Sequence, residues 1–368
     1  MTKTSLHIVH TESSLGWGGQ EIRILTEAMG MIQRGHTVTL IAPPMARIFH
    51  AAEERNIHVV ALPIGRKNLS GLLALRRWLK RHPCDVINTH SSTDSWLAAL
   101  ATRFMRHAPP LVRTRHISAA IPDNVATRWL YQSATTFIAT TGERLRQQLI
   151  EHNGFDPARI TSVPTGIDTD RFVPGNRTIA RGQLNLPLTA PIVGIVATLR
   201  SWKGHTYLLE AFARLADTNA LLLIVGDGPQ RQNLEQEIAR LNLTGRVLMP
   251  GNQRDVTPWM HAMDVFVLPS YANEGVPQAL MQAMACGLPV ISTPIGSITE
   301  AVQDGISGHI VPARDTEQLH QAIQVLLQDA EQRAAFGAAA RNAAIEKFGV
   351  DAMLDKMETI FIQAARHG

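Results

Sequence analysis

The chain has 368 residues, of which 45% are hydrophobic and 18% charged, with a formal net charge of +4; this is a globular composition, not a disordered one, and its length suits two domains of about 150–200 residues. Its two cysteines, Cys84 and Cys286, lie far apart in apolar surroundings and read as buried free thiols, not as a disulfide framework or a metal motif. The start shows no long leader-like apolar region and no run of about 20 apolar residues exists, so the expected compartment is the reducing cytoplasm, with the inner face of the plasma membrane as the place of any lipid contact.

In chain order, Leu6–His10, Thr37–Ala42, His58–Ala61, Asp85–Thr89, Leu111–Thr114 and Thr136–Ala139 read as short apolar or β-branched strands. Helical patterns such as Gln20–Arg34 and Ser92–Met105 lie between them. A polar stretch containing Pro and Gly, residues 174–190, reads as a linker. The alternation restarts with Ile192–Ala197, Ala220–Val225, Val247–Met249, Asp264–Leu268 and Pro289–Ser292, and helical segments run from Thr316 to about Arg366. Strand-helix alternation implies parallel sheets covered by helices on both faces. The expected fold is therefore α/β, with two doubly wound Rossmann-like domains, 1–173 and 191–349, facing across a cleft. A C-terminal helix at about 350–368 is expected to pack back on the first domain.

Charge is uneven. Residues 1–175 hold 20 Lys and Arg against 13 Asp and Glu, and the remainder holds 15 against 18. A basic first half suits an anionic partner, and no nucleic-acid-binding signature accompanies it. Within it, Leu69–Arg81 has apolar residues at 69, 72, 73 and 79 and four cations among its last six residues. Such a basic amphipathic helix can lie on an anionic membrane, or pack on the sheet with a solvated basic face.

In doubly wound sheets, ligands bind beyond the carboxyl ends of the strands. Gly16, Gly18 and Gly19 follow the first strand there, where glycine allows positive φ and close backbone approach. Their spacing is not the dinucleotide G-x-G-x-x-G fingerprint. His90, Arg115 and His116 follow two further strands, and Gly226-Asp227-Gly228 follows a strand of the second half. Arg200 and Lys203 stand three residues apart in a strand-to-helix loop, where a guanidinium fork and an ammonium can grip a diphosphate. Glu274 precedes a helix expected to carry Pro277 in its first turn, with Gln282 farther along. A helix N-terminus favours an anion, so a nucleoside diphosphate sugar fits this place.

Asn273-Glu274-Gly275-Val276-Pro277-Gln278 through Val290 resembles the E-x7-E segment of retaining GT-B glycosyltransferases of family GT4. Glu274 matches the first acid, and Gln282 replaces the second. Arg200-Ser201-Trp202-Lys203-Gly204 resembles the family's G-R-L-x-x-x-K-G stretch: Lys203 matches directly, the usual Arg falls on Thr198, and Arg200 stands two places later. Thr165–Phe172 resembles the N-G-V-D-x-x-x-F turn, and Gly226-Asp227-Gly228-Pro229 the G-x-G-P turn.

The resemblance implies a retaining, metal-independent hexosyl transfer from a UDP- or GDP-hexose to a glycan or lipid-linked acceptor, with cell-envelope polysaccharide or lipopolysaccharide as the setting. It implies catalytic roles for Glu274, His116, Arg200 and Lys203. Donor binding would fall to Gly18, Gly19, Gly226, Gly251, Arg254, Gly275, Val276, Pro277, Gln278 and Gln282, and the acceptor to His90 and Arg115. It implies no cofactor, no metal and no nucleic acid. Three rivals stand beside it: a UDP-sugar epimerase of the same architecture, a phosphorylase using pyridoxal phosphate, and a decayed nucleotide-sugar-binding partner protein.

Overall fold

A computed structural model describes residues 5–116, 119–215, 219–272 and 274–367. Met1–Thr4 of the expected first segment, Asn273 of the Glu274 segment and Gly368 of the expected last helix lie outside them. The chain divides into two compact units. One takes the chain up to Gly166 together with the segment from Val350, and the other spans Ile167–Gly349.

The first unit carries β1 (His7–Thr11), β2 (Thr37–Ala42), β3 (His58–Ala61), β4 (Val86–Thr89), β5 (Leu111–Arg115), β6 (Phe137–Thr140) and β7 (Ile160–Ser162). They form a parallel sheet in the order β3-β2-β1-β4-β5-β6-β7. The order reverses between β1 and β4, where Ile8 pairs with Val38 on one side and Val86 on the other. Strand alternation sends Ile8 and Val9 to opposite faces. Ile8 joins the core built with the helices Gly19–Gln33 and Val350–Ala365, which supply Ile24, Met31, Met357 and Phe361. Val9 joins the core built with Leu69–Arg81 and Ser92–Thr102, which supply Leu75, Leu79, Leu97 and Ala98. Each such Leu contributes about 1.5–3 kcal/mol by leaving water.

The second unit carries β8 (Ile192–Val196), β9 (Leu221–Val225), β10 (Val247–Gly251), β11 (Val265–Leu268), β12 (Val290–Ser292) and β13 (Gly308–Ile310). They form a parallel sheet in the order β10-β9-β8-β11-β12-β13, reversing between β8 and β11. Each half therefore has the doubly wound arrangement that the alternation implies.

Three details differ from expectation. The stretch read as a linker, 174–190, contains the helix Arg177–Gln183, capped by the Asn176 side chain on the Ile179 N–H. Its Arg181 is buried and reaches Asp264 at 2.7 Å and the Ala262 carbonyl at 3.0 Å. Pro174 and Gly175 precede this helix, Pro187 follows it, and Gly182 lies within its last turn without breaking it. Pro277 is the extended residue before the helix Gln278–Ala285, not a member of its first turn. Gly18 is extended at φ −175 and Gly19 is the first residue of the helix Gly19–Gln33, so neither uses the left-handed freedom expected of glycine there.

Candidate active site

At the second unit's order reversal, β8 and β11 send their following loops to the same edge. After β8 the chain makes a tight turn, Ser201–Lys203, which ends on Gly204 at φ +78. A Cβ at Gly204 would overlap the Pro269 carbonyl oxygen, so the turn presses directly on the chain leaving β11. The Tyr271 N–H donates to the Trp202 carbonyl at 2.8 Å and ties the two loops together. This contact places Lys203 Nζ 2.6 Å from Glu274 Oε1. The Ser270 hydroxyl donates to the same oxygen at 2.6 Å. Glu274 is buried, and Gly296 at φ +60 packs against its carbonyl oxygen.

A carboxylate offers about four lone-pair positions on two oxygens. Lys203 and Ser270 occupy Oε1, and among the described residues no protein donor meets Oε2. Lys203 has three donors and gives one to Glu274. The pair therefore keeps an ammonium with donors to spare beside a carboxylate with acceptor capacity to spare. That suits a ligand bearing both anionic oxygens and hydroxyl groups.

The other residues singled out from the sequence fall as follows. Arg200 is exposed, with its guanidinium 5.6 Å from the Trp202 ring centre. Gly226 sits at φ +141 against the Ala197 carbonyl, and its N–H donates to the Gly251 carbonyl at 3.0 Å. Any side chain at Gly226 would push apart the ends of β8 and β9. Gly251 lies at φ +78, and Arg254 is exposed. Gly275, Val276 and Pro277 are buried, Gln278 opens the following helix, and Gln282 is half-buried on it.

In the first unit, His90 and His116 come together: His90 Nδ1 lies 3.0 Å from His116 Nε2. Arg115 is committed elsewhere, donating to the Tyr131 hydroxyl at 3.0 Å and to the Ala119 carbonyl. Two acids that the sequence reading passed over organise this region. Asp94 caps the helix Ser92–Thr102 and accepts from the His90 N–H at 2.8 Å and the Thr11 hydroxyl at 2.9 Å. Glu12 accepts from the Ser14 N–H at 2.7 Å and from the Gln20 amide, and so bridges the glycine-bearing loop. Burial, with Asp94 nearby, pushes the Glu12 carboxyl up to about 8. The signal for both was available: a polar residue at the carboxyl end of an apolar strand, and Ser followed three residues later by Asp. Ser270 was missed in the same way.

Residues 176–343 match the family described as glycosyl transferases group 1, and residues 17–171 match glycosyltransferase family 4. The D-inositol 3-phosphate glycosyltransferase of Geodermatophilus obscurus is 31% identical over 360 residues, covering 84% of this chain and 78% of the relative. Among solved structures, Anabaena HepE in complex with UDP and glucose aligns with a TM-score of 0.86 at 21% identity, covering 97% of this chain and 100% of that one. WaaG, a glycosyltransferase involved in lipopolysaccharide biosynthesis, aligns with a TM-score of 0.74 at 20% identity, covering 96% and 99%. The two structural likenesses carry the GT-B fold, and the family matches carry the activity: the chain belongs to glycosyltransferase family 4 and is a glycosyltransferase.

Proposed function

We propose that the chain moves a hexosyl unit from a nucleoside diphosphate sugar to a glycan or lipid-linked acceptor, with retention of configuration and without a metal ion. The observation that carries this reading is the Lys203–Glu274 pair at the carboxyl ends of the two strands flanking the order reversal. As the bond between the sugar and the diphosphate breaks, negative charge grows on the β-phosphate. Preorganised cations and N–H dipoles aimed at that oxygen are the largest catalytic term available. Lys203, Arg200 and the N–H groups opening the helix Gln278–Ala285 supply them. Glu274 Oε2 then accepts from sugar hydroxyls, and Gln282 from the ribose. His116 meets the transferred sugar. The likeness to HepE, solved with UDP and glucose, favours a UDP-hexose. The likeness to WaaG favours a cell-envelope product, and the inositol 3-phosphate relative a phosphorylated or otherwise anionic acceptor.

A membrane surface fits the same setting. Leu75 and Leu79 of the helix Leu69–Arg81 face the core, whereas Leu69 and Leu73 are exposed beside Arg77 and Lys80. Phe104 is also exposed, and Arg76 of the same helix bonds the Ala101 and Phe104 carbonyls. No helix among the described residues is long and apolar enough to cross a membrane. The reading is that this face rests on anionic lipid.

The test of donor and metal is a thermal-shift screen of UDP-, GDP- and ADP-sugars, followed by turnover in excess EDTA. A donor at 100 times its Kd should stabilise the protein by about 2.7 kcal/mol. Full activity in EDTA is expected. Loss to chelation, restored by Mn²⁺ or Mg²⁺, overturns the metal-independent mechanism, and no stabilisation by any nucleotide sugar overturns the donor class.

A further inference from the structure

The carboxyl ends of β1, β4 and β5 bear three histidines in one connected row. His10 Nδ1 lies 3.0 Å from His90 Nε2, and His90 Nδ1 lies 3.0 Å from His116 Nε2. The two neighbouring ring pairs have centroids 5.3 Å apart. The row begins in an apolar place. His10 is fully buried, its Nε2 has no hydrogen-bond partner among the described residues, and its ring and that of Phe361 meet in a T-shaped contact at 6.2 Å. Its middle is held by the backbone, where the His90 N–H donates to Asp94 Oδ2.

Burial, joined by the Arg23 cation at His90 and His116, pushes all three rings far below the usual histidine range, so they stay neutral. A neutral imidazole has one N–H and one lone pair. Two hydrogen bonds in series can then run in only two ways: every ring protonated on Nδ1, or every ring protonated on Nε2. In the second, His10 buries an N–H with no oxygen or nitrogen among the described residues to accept it. In the first, its Nε2 carries only a lone pair. Orphaned buried N–H groups are the rarer of the two defects. The far end of the row is then fixed: His116 accepts at Nε2 and carries its proton on Nδ1.

We propose that His10 and His90 are positioning residues that lock His116 as the Nδ1–H tautomer, so that it donates a hydrogen bond to an oxygen of the carbohydrate. Free histidine in water favours the Nε2–H form, so the row reverses the ring's own preference. The purpose assigned to the lock rests on the reading of His116 as a sugar contact; the tautomer itself does not. Such a donor meets a hydroxyl or ring oxygen and rejects a group that can only donate, which makes the row a determinant of what lies at His116.

The tautomers are read directly by long-range ¹⁵N–¹H NMR of the full-length protein labelled at histidine, each signal assigned by its loss in a single variant. All three rings are expected as Nδ1–H. All three as Nε2–H overturns the direction of the lock. His90→Leu should return His116 to the Nε2–H form and lower kcat/KM for sugar transfer about tenfold, the upper end of what one neutral hydrogen bond contributes. His90→Asn places an amide donor where Nδ1 stood, so it should keep His116 as Nδ1–H and restore most of the rate. An unchanged His116 tautomer in His90→Leu overturns the row. A switched tautomer with unchanged transfer leaves the row standing and removes the sugar contact from His116.

Discussion

Lys203 Nζ and Glu274 Oε1 stand 2.6 Å apart although 71 residues of sequence separate them. The contact exists because Gly204, with no Cβ, lets the turn after β8 lie against the Pro269 carbonyl after β11. The pair is mostly shielded, with 19% of the Lys203 side chain and 6% of the Glu274 side chain exposed. Removing one partner of a shielded pair leaves the other charge uncompensated, which costs more than the pair itself contributes. Lys203 is thus at once a phosphate-binding candidate and the counter-ion of Glu274.

This double role separates two cations that the sequence treats alike. Lys203→Ala and Arg200→Ala should each weaken UDP or GDP binding by roughly 1.5–3 kcal/mol, the worth of a charged hydrogen bond. Only Lys203→Ala should also lower the melting temperature of the unliganded protein, because Arg200 is exposed and, among the described residues, pairs with no buried acid. Isothermal titration and calorimetry read the two effects separately. Unchanged nucleotide affinity in both variants removes the diphosphate from this loop, and equal melting temperatures remove the counter-ion role from Lys203.

Glu274→Gln keeps an oxygen for Lys203 and Ser270 but gives the sugar an amide. It should fold with some loss of stability, because Lys203 loses its counter-ion, and should bind free nucleoside diphosphate at least as tightly as the parent does. Turnover should fall by one to two decades if the lost carboxylate bonds act in the transition state, at roughly 1.5–3 kcal/mol. Parallel loss of affinity for nucleotide with and without the sugar would place Glu274 against the nucleotide instead.

Much of this site was legible because parallel strands advertise themselves. Ile192–Val196 and Val265–Leu268 are continuous apolar runs, and the polar residues just after them mark the sheet's carboxyl edge. The edge strands β7 and β13 escaped the reading. Ile160-Thr161-Ser162 and Gly308-His309-Ile310 are three residues each and carry no pattern that distinguishes them from loop. The helix Arg177–Gln183 escaped because its stability lies outside it: Arg177 and Arg181 both bond Asp264, 83 residues beyond Arg181. The histidine row escaped for the same reason. His10, His90 and His116 come from three strands, and only the register of the sheet brings their rings together.

Gly204→Ala should be among the most damaging glycine substitutions in the second unit. The residue must hold φ +78 and lie against the Pro269 carbonyl oxygen. Left-handed backbone costs a non-glycine residue about 1–2 kcal/mol, and displacing the Pro269 segment adds to it. Gly35→Ala supplies the comparison, since Gly35 has φ +90 with nothing among the described residues within 4 Å of a Cβ. Denaturant unfolding should show Gly35→Ala losing only the backbone term and Gly204→Ala clearly more. Equal losses would mean that the β8 and β11 loops yield without cost.

The buried acids and histidines of the first unit set opposite pH dependences. Glu12 titrates at about 8 when folded and near 4.3 when unfolded. Between those values the folded chain holds a proton that the unfolded chain releases, so stability falls as pH rises through this window. His10, pushed down to about 3 by burial, acts with the other sign: below about 6.5 only the unfolded ring takes a proton, so stability falls as pH drops. Glu12→Gln removes the first dependence and leaves the second. Its amide can still accept from Ser14, and the Gln20 amide can turn to present its oxygen. Denaturant unfolding at pH 5, 6.5 and 8 should show Glu12→Gln gaining on the parent at each step upward; below pH 6.5 the variant loses stability, whereas in the parent the two opposite dependences offset each other. A difference between them that is constant from pH 5 to 8 would mean that Glu12 is already ionised in the folded protein, and that the loop from Ser14 to Gln20 closes over a carboxylate and not over a carboxylic acid.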